Sequence, residues 1–331
     1  MVRIGIMSFA HVHAPSYASC LKSLENVEFV GVADPVEARG RAAAESFGVR
    51  YFPDYDALLG AHPDAVVICS ENVNHKDIAL AAAKAGCHVL CEKPIATTVE
   101  DARAMIDACS RANVKLATAF PVRNAPPILR AREIVRNGDI GKVLAINGTN
   151  RGKMPGGWFV DPVLAGGGAV MDHTVHVTDL MRWFLDQEVT TVYAEIGTRI
   201  YDIPVDDCGV LNMKFSGGVF ATLDASWSRP QSFPTWGDVT MEIVGTEGVL
   251  YVDAFAQSFI AYDGRQKGVA LRHWGDNMDL LMVKSFVKAV EEGGPVFATG
   301  EDGMHAMAVA LGAYRSSKLG RPVELKEILG Q

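Results

Sequence analysis

The sequence lacks the marks of several protein classes. No apolar run approaches the roughly 20 residues that a membrane-spanning helix needs. The six cysteines show no Cys-x-x-Cys spacing, and Cys69, Cys87 and Cys91 stand in apolar stretches, which favours reduced, buried thiols. With 31 Lys and Arg against 39 Asp and Glu, the formal net charge is −8, which argues against a broad surface for nucleic acid or anionic membrane.

The N-terminal stretch also lacks the long apolar core of an export signal. It reads MVRIGIMSFAH, with one Arg and an apolar run that is interrupted within five residues. We therefore expect a cytoplasmic protein. The chain has 331 residues, 49% hydrophobic and 21% charged, which is enough for about two domains and excludes a disordered or collagen-like chain.

The first 120 residues alternate short apolar runs with Ala-rich stretches of helical periodicity. The predicted strands lie at 3–7, 27–33, 65–69, 88–91 and 115–119, and the predicted helices at 14–24, 37–47, 54–59, 75–85 and 99–112. Strands without polar alternation are typical of a parallel sheet that is covered by helices on both faces. Right-handed crossovers then predict a doubly wound α/β fold, whose ligands bind beyond the carboxyl ends of the strands.

The second half of the chain has a different pattern. Its β-rich runs lie at 143–150, 191–200, 208–215, 219–227, 239–244 and 249–253, and its predicted helices at 128–137, 166–185, 279–291 and 303–319. The pair Gly217-Gly218 predicts a hairpin between two of these strands. We therefore expect an α+β domain that is built on a largely antiparallel, open sheet.

The segment after the first predicted strand differs from the usual dinucleotide-binding turn. It reads SFAHVH over residues 8–13, so G-x-G-x-x-G is absent, and Ser8, Ala10 and His13 stand at the three glycine positions. Asp34 follows the second strand, 26 residues after Ser8, where a carboxylate would accept hydrogen bonds from a ribose diol. A helix N-cap before Pro35 explains Asp34 equally well.

The stretch Glu92-Lys93-Pro94 follows a buried strand directly. This position places the Lys93 ammonium in the ligand crevice, where it could donate to a substrate oxygen or lower the pKa of a neighbouring acid. Pro94 restricts Lys93 to extended backbone geometry. A solvated lysine in a turn is the alternative.

A third group opens the long helix that is predicted over 166–185. Asp172 and His176 are four residues apart and share one helix face, with Asp179 close to it, so that carboxylate and imidazole form a plausible proton-handling pair. Taken singly, Asp172 is explained by the helix dipole and His176 by a hydrogen-bonded core position.

Two further sets of residues have both a functional and a structural interpretation. His11 and His13, with Asp172, His173 and His176, could be drawn as a metal site, but five candidates of unknown geometry are a weak signal, and we expect no metal. Four aromatic residues could line a sugar pocket, although core or oligomer-interface positions are more common for such side chains; they are Trp227, Phe233, Trp236 and Trp274.

Together, the order and spacing of these motifs resemble the glucose–fructose oxidoreductase/inositol dehydrogenase family, also called Gfo/Idh/MocA, nearly from end to end. Residues 69–96 are similar to the family's Asn-x-x-His segment and its Glu-Lys-Pro loop. Asp172 and His176 match its Asp-x-x-x-His motif. Weaker likenesses support the fold and lie at 138–141, 242–248 and 310–323.

The resemblance implies an N-terminal Rossmann domain over 1–120 and a C-terminal α+β domain over 121–331 that shapes the substrate pocket and the oligomer interface. It implies Lys93, Asp172 and His176 as catalytic residues. The expected cofactor-binding residues are Ser8, Phe9, Ala10, His11, Asp34, Ser70, Asn72, His75, Glu92 and Lys93. NAD is the expected cofactor, because Asp34 would repel the 2′-phosphate of NADP; Arg39 and Arg41 on the next helix weaken this argument.

The reaction that the resemblance implies is reversible hydride transfer between the nicotinamide and a hydroxyl-bearing carbon of a sugar, cyclitol or related polyol. His176 would act as general base, Lys93 would donate to the same oxygen, and Asp172 would orient the substrate or the other two groups. Two alternatives stay open. One is tightly bound NAD that is used for transient oxidation in glycoside cleavage or epimerisation, and the other is a non-catalytic, ligand-sensing regulator. A homodimer or homotetramer through the C-terminal sheet is expected, with no nucleic-acid or membrane partner.

Overall fold

The computed structural model describes residues 1–263, 268–273 and 275–330, with the backbone alone for 258–263 and 268–273. These residues form two compact units. The first unit contains Met1–Pro121, Gly157–Gly167 and Asp279–Ala308, and the second contains Val122–Gly156, Gly168–Met278 and the chain from Val309 onward. The first stretch thus ends beside the expected boundary at residue 120, but two later stretches also belong to the first unit.

The strands are listed here in chain order: β1 (Val2–Met7), β2 (Val27–Ala33), β3 (Arg50–Phe52), β4 (Ala65–Ile68), β5 (His88–Cys91), β6 (Leu116–Thr118), β7 (Val143–Arg151), β8 (Val189–Gly197), β9 (Cys208–Phe215), β10 (Phe220–Ser226), β11 (Thr240–Gly245), β12 (Val249–Asp253), β13 (Ser258–Asp263), β14 (Gly268–His273) and β15 (Val323–Glu324).

The α-helices are α1 (Ala14–Ser23), α2 (Glu37–Phe47), α3 (Tyr55–Leu59), α4 (His75–Lys84), α5 (Val99–Arg111), α6 (Pro126–Asn137), α7 (Pro162–Ala165), α8 (Ala169–Leu185), α9 (Met278–Glu292), α10 (Gly300–Leu319) and α11 (Leu325–Leu329). Among the described helices, none combines the length and the apolar composition that crossing a membrane requires.

The first unit is built on a parallel sheet in the order β3-β2-β1-β4-β5-β6. Because β1 pairs with both β2 and β4, the winding direction changes at this strand, and the carboxyl ends of β1, β2, β4 and β5 lie along one edge. Fully buried side chains of α1 and α9, among them Tyr17, Leu21 and Phe286, form one core with Ile4, Ile6 and further residues of the strands. This core fixes the crevice in which a ligand of such a fold binds.

The second unit contains a seven-stranded sheet in the order β12-β11-β7-β10-β9-β8-β15. β9 and β10 form the predicted antiparallel hairpin, and Gly218 takes a left-handed conformation (φ 86°) in its turn. β10 runs parallel to β7, so the sheet is mixed, although antiparallel pairs predominate. Helix α8 packs on β7, β9 and β10, which places its residues against the sheet.

The predicted fold class is confirmed: a parallel, doubly wound sheet is followed by a mixed, mostly antiparallel one. Four strands lie outside the predicted ranges. β3 and β15 have three and two residues, too few to show a periodicity, and β13 and β14 form a separate two-stranded sheet after the last predicted strand.

Candidate functional site

Ser8 takes the backbone conformation for which a dinucleotide-binding turn normally uses glycine. Its φ is 74°, which is uncommon for any residue with a Cβ atom, and its side chain is fully buried. The Ser8 hydroxyl accepts the Ala10 amide at 3.1 Å and an Arg39 guanidinium N–H at 3.3 Å. The turn therefore keeps the expected bend without glycine, at the cost of local strain.

The amides of this turn already have partners inside the first unit. Ser8 donates to the Ala33 carbonyl at 2.7 Å, Phe9 to the Asp34 carboxylate at 2.8 Å, and His11 to the Cys69 carbonyl at 2.9 Å. A cofactor pyrophosphate would have to compete with these acceptors for the same N–H groups. The backbone of the turn has the bend of a dinucleotide-binding turn. Its N–H groups, however, already donate to protein acceptors, which the sequence does not indicate.

Asp34 is fully buried at the end of β2, and four donors converge on its carboxylate. Arg39 donates from Nε at 2.7 Å and from Nη2 at 2.9 Å, and the amides of Phe9 and Val36 donate at 2.8 Å each. Helix α2 has Val36 at its N-cap, so Asp34 does not cap it. A ribose diol would reach the Asp34 oxygens only if Arg39 moved away, so direct ribose binding stays a prediction.

Arg39 faces a groove of about 520 Å³ between the ends of β2 and β4. Its side chain is 30% exposed, and its Nη1 lies 3.8 Å from the Glu71 carboxylate. Five of the eleven residues that line the groove are charged, four of them acidic; they are Arg39, Asp54, Asp56, Glu71 and Asp77. Its volume is within the usual range for small-molecule sites, so it suits the adenosine part of a dinucleotide.

Glu92, directly after β5, is a fully buried carboxylate beside two imidazoles. Its Oε1 lies 3.0 Å from His13 Nδ1 and 3.5 Å from His11 Nδ1. Burial alone would raise the pKa of Glu92, but His11, His13 and Lys93 outweigh it and hold that pKa well below its usual range. Burial alone would lower the pKa of His13, yet the Glu92 charge and hydrogen bond leave it raised. His13 and Glu92 therefore form a half-buried ion pair, in which Glu92 is fully buried and His13 is 33% exposed.

This group also has the composition of a metal site. The potential ligand atoms of His11, His13 and Glu92 lie within 4.8 Å of one another. However, His11 Nδ1 accepts the His13 amide at 3.2 Å, and His13 Nδ1 is within hydrogen-bonding distance of Glu92 and 3.4 Å from the Tyr17 hydroxyl. Hydrogen bonds and ionic attraction account for these distances without a metal, and the absence of a metal stays a prediction.

Three predicted cofactor residues, Ser70, Asn72 and His75, are buried where they brace the crevice. Asn72 donates its side-chain N–H to the Ala165 carbonyl at 2.9 Å. His75 lies between the Pro94 carbonyl, 3.0 Å from Nδ1, and the Ser70 carbonyl, 3.3 Å from Nε2. Burial lowers the pKa of His75, so the ring is neutral and donates to one of the two. Its geometry holds the Glu92–Pro94 turn in place.

Lys93 lies on this turn with only 4% of its surface exposed. Its amide donates to Glu92 Oε2 at 3.1 Å, and a cis peptide bond joins it to Pro94. The expectation that Lys93 is an internal rather than a solvated lysine agrees with this burial. Lys93 belongs to the first unit, and the other two predicted catalytic residues, Asp172 and His176, belong to the second.

Asp172 lies in the first turns of α8 and is held by two ring N atoms. Its Oδ2 accepts the Trp227 indole N–H at 3.1 Å and lies 3.2 Å from His173 Nε2. His173 Nδ1 is 2.9 Å from the Asn150 carbonyl, so the ring lies between this carbonyl and the Asp172 carboxylate. Gly152 leaves room for the ring, because a Cβ there would lie 2.3 Å from His173 Cε1. The orientation of Asp172 is therefore determined by β7, β10 and α8 together.

His176, one turn further along α8, is 4% exposed and lies beside an aromatic side chain. The Trp236 ring centroid is 6.5 Å from that of His176 and 6.0 Å from that of His173. Phe255 supports the indole edge-on at 5.2 Å, and 39% of Trp236 remains exposed. Trp236 thus presents an accessible aromatic surface next to the predicted base.

The remaining candidates separate into buried and undescribed residues. Asp179 is fully buried in a two-pronged ion pair with Arg123, with both distances 2.6 Å, so its role is structural. Trp227 is fully buried, Phe233 lies against the Arg229 guanidinium, and Trp274 is outside the described residues.

The sequence does not indicate the hydrogen-bond partners of three residues of this site. Arg39, His173 and Trp227 act through partners 5, 23 and 55 residues away. His173 was considered only as a metal ligand, although its place directly after Asp172 marks it as a possible ion-pair partner.

Comparison with known proteins agrees with these features. Residues 2–120 match the family described as an oxidoreductase family with a NAD-binding Rossmann fold, and residues 128–251 match the GFO/IDH/MocA C-terminal domain. The chain is 28% identical to the myo-inositol 2-dehydrogenase of Thermotoga maritima, over 99% of this chain and all of that protein. It is 30% identical to a D-xylose 1-dehydrogenase (NADP⁺) of Haloferax volcanii, over 97% of this chain and 99% of that protein.

A solved structure shows the same fold. The crystal structure of GenD2 from gentamicin A biosynthesis, in complex with NAD, superposes with a TM-score of 0.90 at 27% identity, over 98% of this chain and 96% of that chain. The fold and its turn define a nucleotide-binding oxidoreductase. The chain belongs to the Gfo/Idh/MocA oxidoreductase family, so the predicted family and the predicted enzyme class are confirmed.

Proposed function

We propose that this protein is a NAD-dependent dehydrogenase of a ring-shaped polyol, a sugar or a cyclitol. The observation that carries the proposal is His176, an almost buried imidazole one turn after Asp172 and beside the exposed face of Trp236. The named activities of the relatives, on myo-inositol and D-xylose, support a polyol substrate.

The chain's own residues divide the reaction between them. His176 takes the proton from the substrate hydroxyl, and Lys93 donates a hydrogen bond to the same oxygen as negative charge develops on it. Asp172, held by Trp227 and His173, orients the substrate. The bound nicotinamide would accept the hydride during oxidation and return it in the reverse reaction. Loss of a positioned acid–base group costs about 10²–10⁴ in rate.

The preference for NAD is supported by the charge of the groove at β2. Asp54, Asp56, Glu71 and Asp77 line it together with a single cation, Arg39. The 2′-phosphate of NADP brings about two further negative charges into this surrounding. Arg39 favours NADP but is already engaged by Asp34, so the acidic groups decide in favour of NAD.

Trp236 supports a ring-shaped substrate. An indole face stacks on the C–H face of a sugar or cyclitol ring, which a flexible linear polyol does not offer in one rigid plane. Trp236→Ala should raise KM for the cyclic substrate by about tenfold, the effect of losing roughly 1.4 kcal/mol of contact. Trp236→Phe should recover part of this loss. If either variant raised KM for linear polyols as much as for the cyclic substrate, the stacking role would be contradicted.

The direct test is a panel of sugars, cyclitols and linear polyols with NAD and with NADP, followed by the absorbance of the reduced cofactor. On the best substrate, Lys93→Met and His176→Ala should each lower kcat by at least about 10²-fold and leave the Kd for NAD unchanged in calorimetry. Lys84→Met and His62→Ala, at exposed positions of the first unit, are the matched controls.

Each result has a definite meaning. Near-normal turnover in Lys93→Met or His176→Ala refutes the role of that residue. Substrate consumption without net reduced cofactor, in protein that retains NAD through purification, supports the transient-oxidation alternative. Binding of a polyol without any turnover supports the sensor. A cytoplasmic location stays a prediction, which fractionation of the source cells tests.

We also propose that the second unit forms a homodimer or homotetramer through its sheet. Five large apolar side chains on β7, β9, β10 and β12 are between 44% and 65% exposed; they are Leu144, Val210, Phe220, Val249 and Tyr251. Scattered apolar residues are normal on surfaces, but a group of large ones on one sheet is typical of an interface. Phe220→Glu together with Tyr251→Glu should yield a monomer in sedimentation analysis, and an unchanged mass would contradict the interface.

A further inference from the structure

The N-terminal turn of α8 is held by two residues that are remote from it in sequence. The first amides of a helix lack partners within the helix, and a side chain at the N-cap usually satisfies them. Here the N-cap residue is Gly168, which has no side chain. Two other residues accept hydrogen bonds from the amides that an N-cap side chain would satisfy. They are Asp206, between β8 and β9, and Tyr314 on α10, which are 38 and 146 residues from Gly168.

The bonds of this anchor form a closed network. The Asp206 carboxylate accepts the amides of Gly168 at 3.0 Å and Val170 at 2.8 Å, and its main-chain carbonyl accepts the amide of Ala169 at 2.9 Å. The Tyr314 hydroxyl accepts the Met171 amide at 3.1 Å and donates to Asp206 Oδ1 at 2.7 Å. Four successive amides of α8 are thereby held by two residues.

Position 168 requires glycine for a steric reason. A Cβ at Gly168 would lie 1.9 Å from the Asp206 carbonyl oxygen, so only glycine allows this loop to approach the helix so closely. The close approach places the Asp206 carboxylate at the positive end of the helix dipole, which adds electrostatic attraction to the hydrogen bonds.

The anchor acts directly on the residues that the proposed function uses. The Asp172 amide donates to the Gly168 carbonyl at 3.0 Å, the first hydrogen bond within α8, and His176 follows one turn later. A shift or a rotation of the first turn therefore moves both side chains. Displacements of about 1 Å in a catalytic group can cost about 10²-fold in rate.

We propose that Asp206 and Tyr314 are positioning residues of the reaction, which fix the axial position of α8 and with it Asp172 and His176. This inference rests on the proposed dehydrogenase function for its catalytic consequence, while the anchor itself stands on the hydrogen bonds alone. Both residues act through α8 and not by contact with substrate or cofactor.

Tyr314→Phe and Asp206→Asn are the test variants. Tyr193→Phe is the matched control, because it removes a tyrosine hydroxyl from a half-buried position on β8 of the same unit, where its partner is Glu195. Hydrogen–deuterium exchange of the peptide over 166–176 measures the anchor without any substrate. Turnover on the best polyol, its primary deuterium isotope effect and the Kd for NAD measure the catalytic consequence. All assays are run well below the melting temperature of each variant.

We expect faster exchange at 168–171 in both variants, a loss of at least about tenfold in kcat, a larger isotope effect on kcat and an unchanged Kd for NAD. A merely structural role lowers the amount of active enzyme and leaves the isotope effect as it is. Faster exchange with unchanged kcat and isotope effect overturns the positioning role, and unchanged exchange overturns the anchor. If the wild type turns over no polyol, the proposed function fails, and the exchange rates still decide whether the anchor exists.

Discussion

Replacement of Arg39 by Ala should make the protein more selective for NAD over NADP. Arg39 is the only cation among the charged residues that line the described groove at β2, and it lies between the Asp34 and Glu71 carboxylates. In Arg39→Ala, the Asp34 carboxylate keeps the amides of Phe9 and Val36 but loses both guanidinium bonds. Its oxygens then become available to a ribose diol, which is the contact that NAD uses and NADP cannot make.

The size of the effect follows from the type of bond that is lost. A hydrogen bond to a charged group contributes about 1.5–3 kcal/mol. Loss of one such bond between Arg39 and the 2′-phosphate weakens NADP binding by about 10–100-fold, since roughly 1.4 kcal/mol corresponds to a factor of ten. Arg39 is 30% exposed, so solvent screening favours the lower end of this range. The Kd for NAD should stay the same or fall, because the Asp34 carboxylate that Arg39 releases can accept hydrogen bonds from the ribose.

Calorimetric titration of both oxidised cofactors into both proteins measures the ratio of the two Kd values directly. Arg41→Ala is the control on the same helix, because Arg41 is exposed and paired with Glu37. An unchanged ratio in Arg39→Ala would show that Arg39 does not contact the cofactor. A shift towards NADP would refute the reasoning altogether.

Three further outcomes concern stability. His13→Gln should lower the melting temperature more at pH 6 than at pH 9. Glu92 raises the pKa of His13 above its usual 6.5, so the ion pair stabilises the fold fully below pH 6.5, and this contribution is lost as the pH rises through the folded-state pKa. Equal losses at both pH values would contradict the pair. Arg123→Met should cost about 3–5 kcal/mol in denaturant unfolding, because it leaves Asp179 charged and buried, and a cost below about 1 kcal/mol would argue against this. Ser8→Gly should have a free energy of unfolding about 1 kcal/mol higher than that of Ser8→Ala, and therefore a higher melting temperature. Both variants lack the hydroxyl, and only alanine strains the left-handed backbone.

Five of the six strands of the first unit could be predicted because each is a short run made mostly of apolar residues, whereas β3 has only three residues. Val27–Ala33 and His88–Cys91 agree with the structure residue for residue. Their periodicity is local, and local patterns are visible in a sequence. The direction of β10 relative to β7 depends on how the intervening chain returns, and no short pattern encodes this.

The division into units is a second feature that local sequence patterns do not encode. Residues 157–167 and 279–308 join the first unit although they follow the start of the second. Within that unit, the Trp158 indole donates to the Ala10 carbonyl at 2.9 Å, and Trp158 and Phe159 pack against the His11 ring. A linear cut at residue 120 cannot express such a return of the chain.

The candidate site was predictable where its chemistry is carried by closely spaced residues. Asp172 and His176 share a helix face because they are four residues apart, which the sequence shows directly. The groups that hold them could not be found in this way, since Asp206 and Tyr314 reach α8 from distant parts of the chain. The occupation of Asp34 by Arg39 depends on a side-chain orientation that spacing alone leaves open.

Because the first unit contains three separate stretches of the chain, it can complete its folding only after the last stretch has been synthesised. Helix α9 supplies Met282, Val283, Phe286 and Val287 to the core beneath β1 and β4. A ribosome that adds roughly 5–20 residues per second needs about 9–37 s to advance from residue 121 to residue 308. During this interval α1 covers only part of this apolar face of the parallel sheet, and the nascent chain has to avoid aggregation through the rest. The nucleotide-binding half of this enzyme, although first to be made, is therefore among the last parts to be finished.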